Sequence, residues 1–255
     1  MTSTLIVKII RSMFLRLIVL GSIIASIGYY FIYVAPYSSI NLPEEEVQYK
    51  YLYNDIVKNQ APGVSLPLVV VLHDSGENAL ITKEYMTGLD ADVRIVFLEA
   101  SEGFKMGKTW AATTQENLVA AGKVHRAITH LQTQYQTEGK PILIGLGQGA
   151  IIAGHVAIDF PDDYSRAIVK FNEAPPVKAY KDKLKPTMRY PRFDLIVGEN
   201  PRTTDKENNA YVNAIKKFIS DFKSGGIRTE LLVFKTNESW NDEMTYKIDQ
   251  ILQGT

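Results

Sequence analysis

The chain has 255 residues, of which 45% are hydrophobic and 22% charged, with 28 Lys+Arg against 28 Asp+Glu and no cysteine. This composition suits one catalytic-size domain plus a short extra segment. The missing thiols exclude a disulfide framework, a thiolate metal site, a cysteine nucleophile and a lipidated cysteine anchor. Zero net charge, with no strongly basic stretch beyond the N-terminus, argues against nucleic acid as a partner.

Residues 17–34 form an uncharged run, LIVLGSIIASIGYYFIYV. Its length stands at the threshold for a helix that spans a bilayer core, about 20 residues at 1.5 Å each. Lys8, Arg11 and Arg16 precede it, Tyr29, Tyr30, Phe31 and Tyr33 crowd its far end, and Pro36 stops it. Basic residues stay on the cytoplasmic side and aromatic residues favour the interface. The expectation is a single-pass signal-anchor: a basic cytoplasmic tail at 1–16, the transmembrane helix at 17–34, and the remainder periplasmic or extracellular. A cleaved signal peptide and a buried core helix are the alternatives; bulky aromatics where small residues precede a cleavage site favour the anchor.

Residues 35–47, polar with Pro43 and three glutamates, are expected as a linker to a domain over 48–255. There strands and helices alternate. Strands are expected at 48–53, 67–73, 94–98, 141–145, 167–171, 193–197 and 227–234. The run PLVVVLH at 67–73 has the continuous apolar, β-branched character of a central parallel strand. A long helix is expected over 113–137, opened by a capping box of Thr113 and Glu116 and apolar along Leu118, Ala121, Val124, Ile128, Leu131 and Tyr135. Further helices follow at 148–159, through Tyr211, Ile215, Phe218 and Phe222, and through Met244, Ile248, Ile251 and Leu252. This alternation implies an α/β fold, a mostly parallel central sheet with helices on both faces. Ligands in such folds bind at the carboxyl ends of the strands.

Three segments at those ends carry a resemblance. Leu72-His73-Asp74-Ser75-Gly76 ends a central strand like the His-Gly loop that helps build an oxyanion hole. Gly145-Leu146-Gly147-Gln148-Gly149 joins strand to helix like the nucleophile elbow Gly-x-Ser-Gln-Gly. Thr236-Asn237-Glu238-Ser239-Trp240 stands where a catalytic His is carried near the last helix. Residues from about 48 to 253 are thus similar to the phospholipase/carboxylesterase and polyhydroxybutyrate-depolymerase-like esterases of the α/β-hydrolase superfamily. The resemblance implies the α/β-hydrolase fold and, in active members, a Ser-Asp-His triad in that chain order.

The chemistry departs from that pattern. Gly147 stands at the nucleophile position and has no atom that can attack a carbonyl. The loop after the strand at 193–197 reads Gly198-Glu199-Asn200-Pro201, so Asn200 or Pro201 stands where the acid is expected. No His follows His155, and Glu238 occupies the place of the base. A carboxylate is a poor mimic of an imidazole that titrates near neutrality. The degenerate triad positions are therefore Gly147, Asn200 and Glu238. The residues expected to line a pocket are His73, Asp74, Ser75, Trp110, Gln148 and Glu238. The Gln148 amide, one from the 74–76 loop and the dipole of the following helix favour an anion there.

Plainer readings stand beside these. His73 is a packed loop residue, Ser75 a turn hydroxyl, and His155 a packed helix residue. His125 and His130, about 140° apart on a helix, are surface residues. Glu99, Glu102, Glu199 and Glu238 are solvated loop acids rather than a cation site. Phe104 and Trp110 line a ligand pocket or cover a helix start. The Pro- and Lys-rich stretch 173–190 is a solvated connection or a lid. No metal and no cofactor is implied. Two functions remain: a membrane-anchored, catalytically inactive module that binds a protein partner or small ligand, or an esterase-like hydrolase with a non-standard catalytic set.

Overall fold

The computed structural model describes residues 3–30, 37–42, 47–57, 65–104, 107–111, 113–172, 175–185, 187–199, 205–235 and 240–254. The chain divides into two compact units, Met1–Ser38 and Ser39–Thr255.

The first unit contains one helix, α1 (Ser3–Tyr29). Among the described residues no helix is long and apolar enough to cross a membrane, contrary to the expectation for 17–34. α1 begins upstream of the expected span and includes Lys8, Arg11 and Arg16; residues 31–34 of that span lie outside the described residues.

The second unit is built on an eight-stranded sheet in the order β1-β2-β4-β3-β7-β8-β9-β10. Its strands are β1 (Ser38–Leu42), β2 (Val47–Ile56), β3 (Pro67–Leu72), β4 (Val93–Glu99), β7 (Glu138–Leu146), β8 (Arg166–Lys170), β9 (Arg192–Glu199) and β10 (Thr229–Lys235). β2 runs antiparallel to β4, whereas β4, β3, β7, β8, β9 and β10 pair in parallel. β3, β4 and β7 carry the apolar runs because both sheet faces are covered. Residues 38–42, expected within a linker, form a strand of this sheet with Ile40 buried.

The helices are α2 (Ala79–Tyr85), α3 (Thr114–Tyr135), α4 (Gln148–Asp159), α5 (Val177–Lys181), α6 (Asp205–Ser224) and α7 (Asp242–Gln253). α3 starts at the expected capping box, with both reciprocal Thr113–Glu116 hydrogen bonds formed. His125 on α3 is half-buried rather than a surface residue: it stacks on Phe160 at 3.6 Å and shares a 2.9 Å hydrogen bond with the Tyr164 hydroxyl. β5 (Glu102–Phe104) and β6 (Gly107–Thr109) form an antiparallel hairpin after β4. α5 lies in the lysine-rich stretch and is a packed element, because its Tyr180 is fully buried against α4 and α6 and donates to the Ile151 carbonyl at 2.9 Å.

His155, fully buried on α4, lies 4.7 Å from the Tyr180 ring, and neither imidazole nitrogen has a hydrogen-bond partner. Burial, then the nearby Lys183, pushes its pKa down to about 4. The unfolded chain therefore takes up this proton below about pH 6.5, and the folded chain only near pH 4. Stability from this group is full above pH 6.5 and is lost as pH falls through that window, by roughly 3 kcal/mol in total. Urea unfolding of His155→Leu is expected to show a flatter dependence between pH 6.5 and 4 than the wild type; equal slopes contradict this.

Candidate functional site

The sheet order places β3 between β4 and β7, so two parallel neighbours end side by side with loops that must diverge. The loop after β3 and the turn after β7 meet there. The turn is tight on every side. A side chain at Gly149 would come within 2.3 Å of the Leu72 carbonyl, and one at Gly145 within 2.5 Å of the Gly149 carbonyl. Gly147 adopts φ 50°, ψ −112°, where a side chain is strained. Its amide donates to the Lys170 carbonyl at 2.8 Å, which extends the β7–β8 ladder into the turn.

The space above Gly147 is taken by Asp74. A Cβ on Gly147 would fall 1.9 Å from Asp74 Oδ1, 2.0 Å from Cγ and 2.2 Å from Oδ2. The carboxylate occupies the volume that a nucleophile's side chain would need. Its Oδ1 accepts from the amides of Ser75 and Gln148, each at 2.7 Å. Its Oδ2 accepts from the side-chain amide of Asn172. Two amides thus converge on one oxygen at the start of α4, where the helix dipole adds to charge-assisted hydrogen bonds. The Gln148 amide and the Ser75 amide, expected from the sequence to favour an anion, both donate to Asp74 Oδ1.

The surroundings fix this arrangement. The Gln148 side chain accepts from Thr109 Oγ1 (2.8 Å) and the Trp110 amide (2.9 Å) and donates to the Ala111 carbonyl (2.6 Å). The hairpin is tied to the Asp74 loop by Gly76 N to Lys108 O (2.9 Å) and Lys108 N to Glu77 O (2.8 Å). Lys170, buried at the end of β8, donates to Asn172 Oδ1 at 2.8 Å. Burial lowers its pKa, while Asp74 and Glu77 oppose that shift. Burial raises the pKa of Glu77, whose carboxylate accepts from Tyr85 at 2.9 Å.

A cavity of about 350 Å³ opens here, lined by Asp74, Ser75, Gly147, Gln148, Ile151, Phe171 and Asn172. Asp74, Ser75 and Gln148 of the sequence-expected set therefore meet. His73 and Trp110 do not line it. His73 is fully buried, shares a 2.6 Å contact with the Asp74 carbonyl through Nδ1, and accepts from the Ala100 amide at Nε2 (3.0 Å). Burial lowers its pKa, and those two partners suit the neutral ring protonated at Nδ1. Trp110 is buried and donates to the His73 carbonyl at 2.8 Å, so it is part of the support under the loop. Asn200 and Glu238 lie outside the described residues, as do the side chains of Phe104, Glu102 and Glu199. Glu99 is buried rather than solvated. Among the described residues no cluster of three metal-ligating side chains occurs. Sequence reasoning did not find Lys170 and Asn172; a lysine closing the apolar run Ala-Ile-Val-Lys beside the elbow strand was the available signal.

No family model and no curated protein matches the sequence. Solved structures do. The carboxylesterase of Bacillus cereus superposes with a TM-score of 0.58 at 11% identity, over 81% of this chain and 94% of its own. The carboxylesterase of Mesorhizobium loti gives 0.59 at 10% identity, over 86% and 100%. A thermostable carboxyl esterase of Bacillus coagulans gives 0.60 at 11% identity, over 86% and 97%. The fold is the α/β-hydrolase fold. Within it, Gly147 lies in the turn between β7 and α4, and the Asp74 carboxylate stands over it.

Proposed function

We propose that this chain is a catalytically inactive α/β-hydrolase-like domain that acts as a binding module outside the cytoplasm, held to the membrane by its N-terminal segment. The observation that carries the first part is the Asp74 carboxylate, which fills both the nucleophile's volume and the amide pair beside it. An ester carbonyl meets glycine rather than serine at the strand-to-helix turn, and no free pair of amides to polarise it. The absence of any histidine after His155 removes the base that the fold uses in third place. A hydrolase with a rewired catalytic set would need those amides, and they are engaged.

The anchor rests on the uncharged run at 17–34, beyond what the described part of α1 carries. Leu17, Ile18, Val19, Leu20, Ile23, Ile24 and Ile27 are each at least half exposed. Four consecutive positions cover most of a helical circumference, so the helix is apolar all round rather than along one stripe. Lys8, Arg11 and Arg16 place the N-terminus on the cytoplasmic side.

The full chain is expected to hydrolyse short- and medium-chain esters no faster than buffer. Turnover above that rate, abolished by Asp74→Ala, would establish the rewired hydrolase instead. Reporter fusions after Thr255 are expected to score as periplasmic or extracellular, and a cytoplasmic score contradicts the anchor.

A further inference from the structure

We propose that the cavity beside Gly147 binds a small primary ammonium on a short apolar tail, so that the site has exchanged recognition of a carbonyl for recognition of a cation. The inference rests on the binding-module reading and names its ligand class. Asp74 carries the only ionisable side chain among the described lining residues. Of the roughly four acceptor positions of a carboxylate, the Ser75, Gln148 and Asn172 hydrogen bonds use three. One acceptor position on Oδ2 remains for a ligand donor.

Most donors that could meet an incoming oxyanion are already committed, the Ser75 hydroxyl, 3.5 Å from Thr109 Oγ1, being the weakest held. The Ser75 and Gln148 amides point at Asp74, the Gln148 side-chain amide donates to Ala111, and that of Asn172 donates to Asp74. Lys170 does not line the cavity, and its ammonium is held on Asn172 among Asp74 and Glu77, one cation facing two acids. An anion entering the cavity meets a carboxylate and few free donors; an ammonium meets an acceptor held in place from behind. Ile151 and Phe171 supply apolar wall for a tail of a few carbons, in a volume at the small end for ligand sites.

The test ranks three probes of equal length, n-butylammonium, n-butyrate and n-butanol, on the full chain in mild detergent, followed by titration of the Ser75 and Gln148 amide resonances. Butylammonium is expected to saturate those shifts with affinity about tenfold or more above the other two, the size of one charge-assisted hydrogen bond. Asp74→Asn is expected to remove most of that advantage. Butyrate binding as tightly as butylammonium, no saturable butylammonium binding, or binding unchanged in Asp74→Asn each overturns the proposal. The wild-type ranking decides alone if the variant does not fold. Failure here leaves catalytic inactivity standing, whereas ester turnover removes inactivity without touching the probe ranking.

Discussion

Gly147→Ser, which restores the nucleophile's residue type, is expected to destabilise the domain by about 2–4 kcal/mol and to leave ester hydrolysis at the buffer rate. Two costs combine. A serine must adopt φ 50°, ψ −112°, a region whose strain glycine relieves and which costs a side chain roughly 1–3 kcal/mol. Its Cβ also falls within 2.2 Å of three Asp74 carboxyl atoms, so Asp74 must rotate away from the Ser75, Gln148 and Asn172 donors. Removing the obstruction first should relieve the second cost and not the first. Asp74→Ala combined with Gly147→Ser is therefore expected to be more stable than the sum of the single changes, by about 1–2 kcal/mol in a double-mutant cycle. Urea unfolding of the four proteins measures this. Additive effects, or a Gly147→Ser protein as stable as the wild type, mean that Asp74 does not occupy the elbow.

Asp194→Ala is expected to cost about 3–5 kcal/mol, the penalty for breaking a buried ion pair from one side. Asp194 on β9 is fully buried, with Arg192 Nε at 2.8 Å and Arg166 Nε at 3.1 Å. Burial raises its pKa even so, against the pull of both arginines. Arg192 keeps Glu230 as a partner, and Arg166 also donates to the Ile251 carbonyl at 3.0 Å. Loss of the carboxylate thus leaves Arg166, only 13% exposed, without its ion-pair partner on β9. Asp194→Asn keeps the shape, sheds the burial penalty of the charge, and is expected to cost less than the alanine. An alanine variant within 1 kcal/mol of the wild type would show that desolvation had already cancelled the pair.

The sequence displays the fold where an element is long enough for its period to repeat. The spaced apolar residues of α3, α6 and α7 and the continuous apolar runs of β3, β4 and β7 announce themselves, and their alternation implies the parallel sheet. Short elements do not. α2 has seven residues, and β5 and β6 have three each, too few for either period to show. β1 hides in a polar segment because a single residue, Ile40, is buried in it. The sheet order, with β4 outside β3, is a long-range result that no local pattern carries.

The site divides in the same way. Backbone demands are legible: Gly145, Gly147 and Gly149 mark a turn too crowded and too strained for side chains. Side-chain destinations across the fold are not. Nothing local to Asp74 says that its carboxylate reaches the amide of Gln148, because that contact exists only once β3 and β7 are neighbours. Asn172 and Lys170 join for the same reason, through the pairing of β8 with β7. The sequence puts a glycine where the resembling esterases carry serine; the fold puts the Asp74 carboxylate beside that glycine.

Amide NMR of the wild type and Asp74→Ala tests that occupancy most directly. Charge-assisted hydrogen bonds to a carboxylate draw amide protons downfield, so the Ser75 and Gln148 resonances are expected downfield in the wild type and to move upfield together in the variant. The Gly147 amide, bonded instead to the Lys170 carbonyl, is expected to move least of the three. Ser75 and Gln148 resonances indifferent to the loss of Asp74 would contradict an elbow filled by its carboxylate.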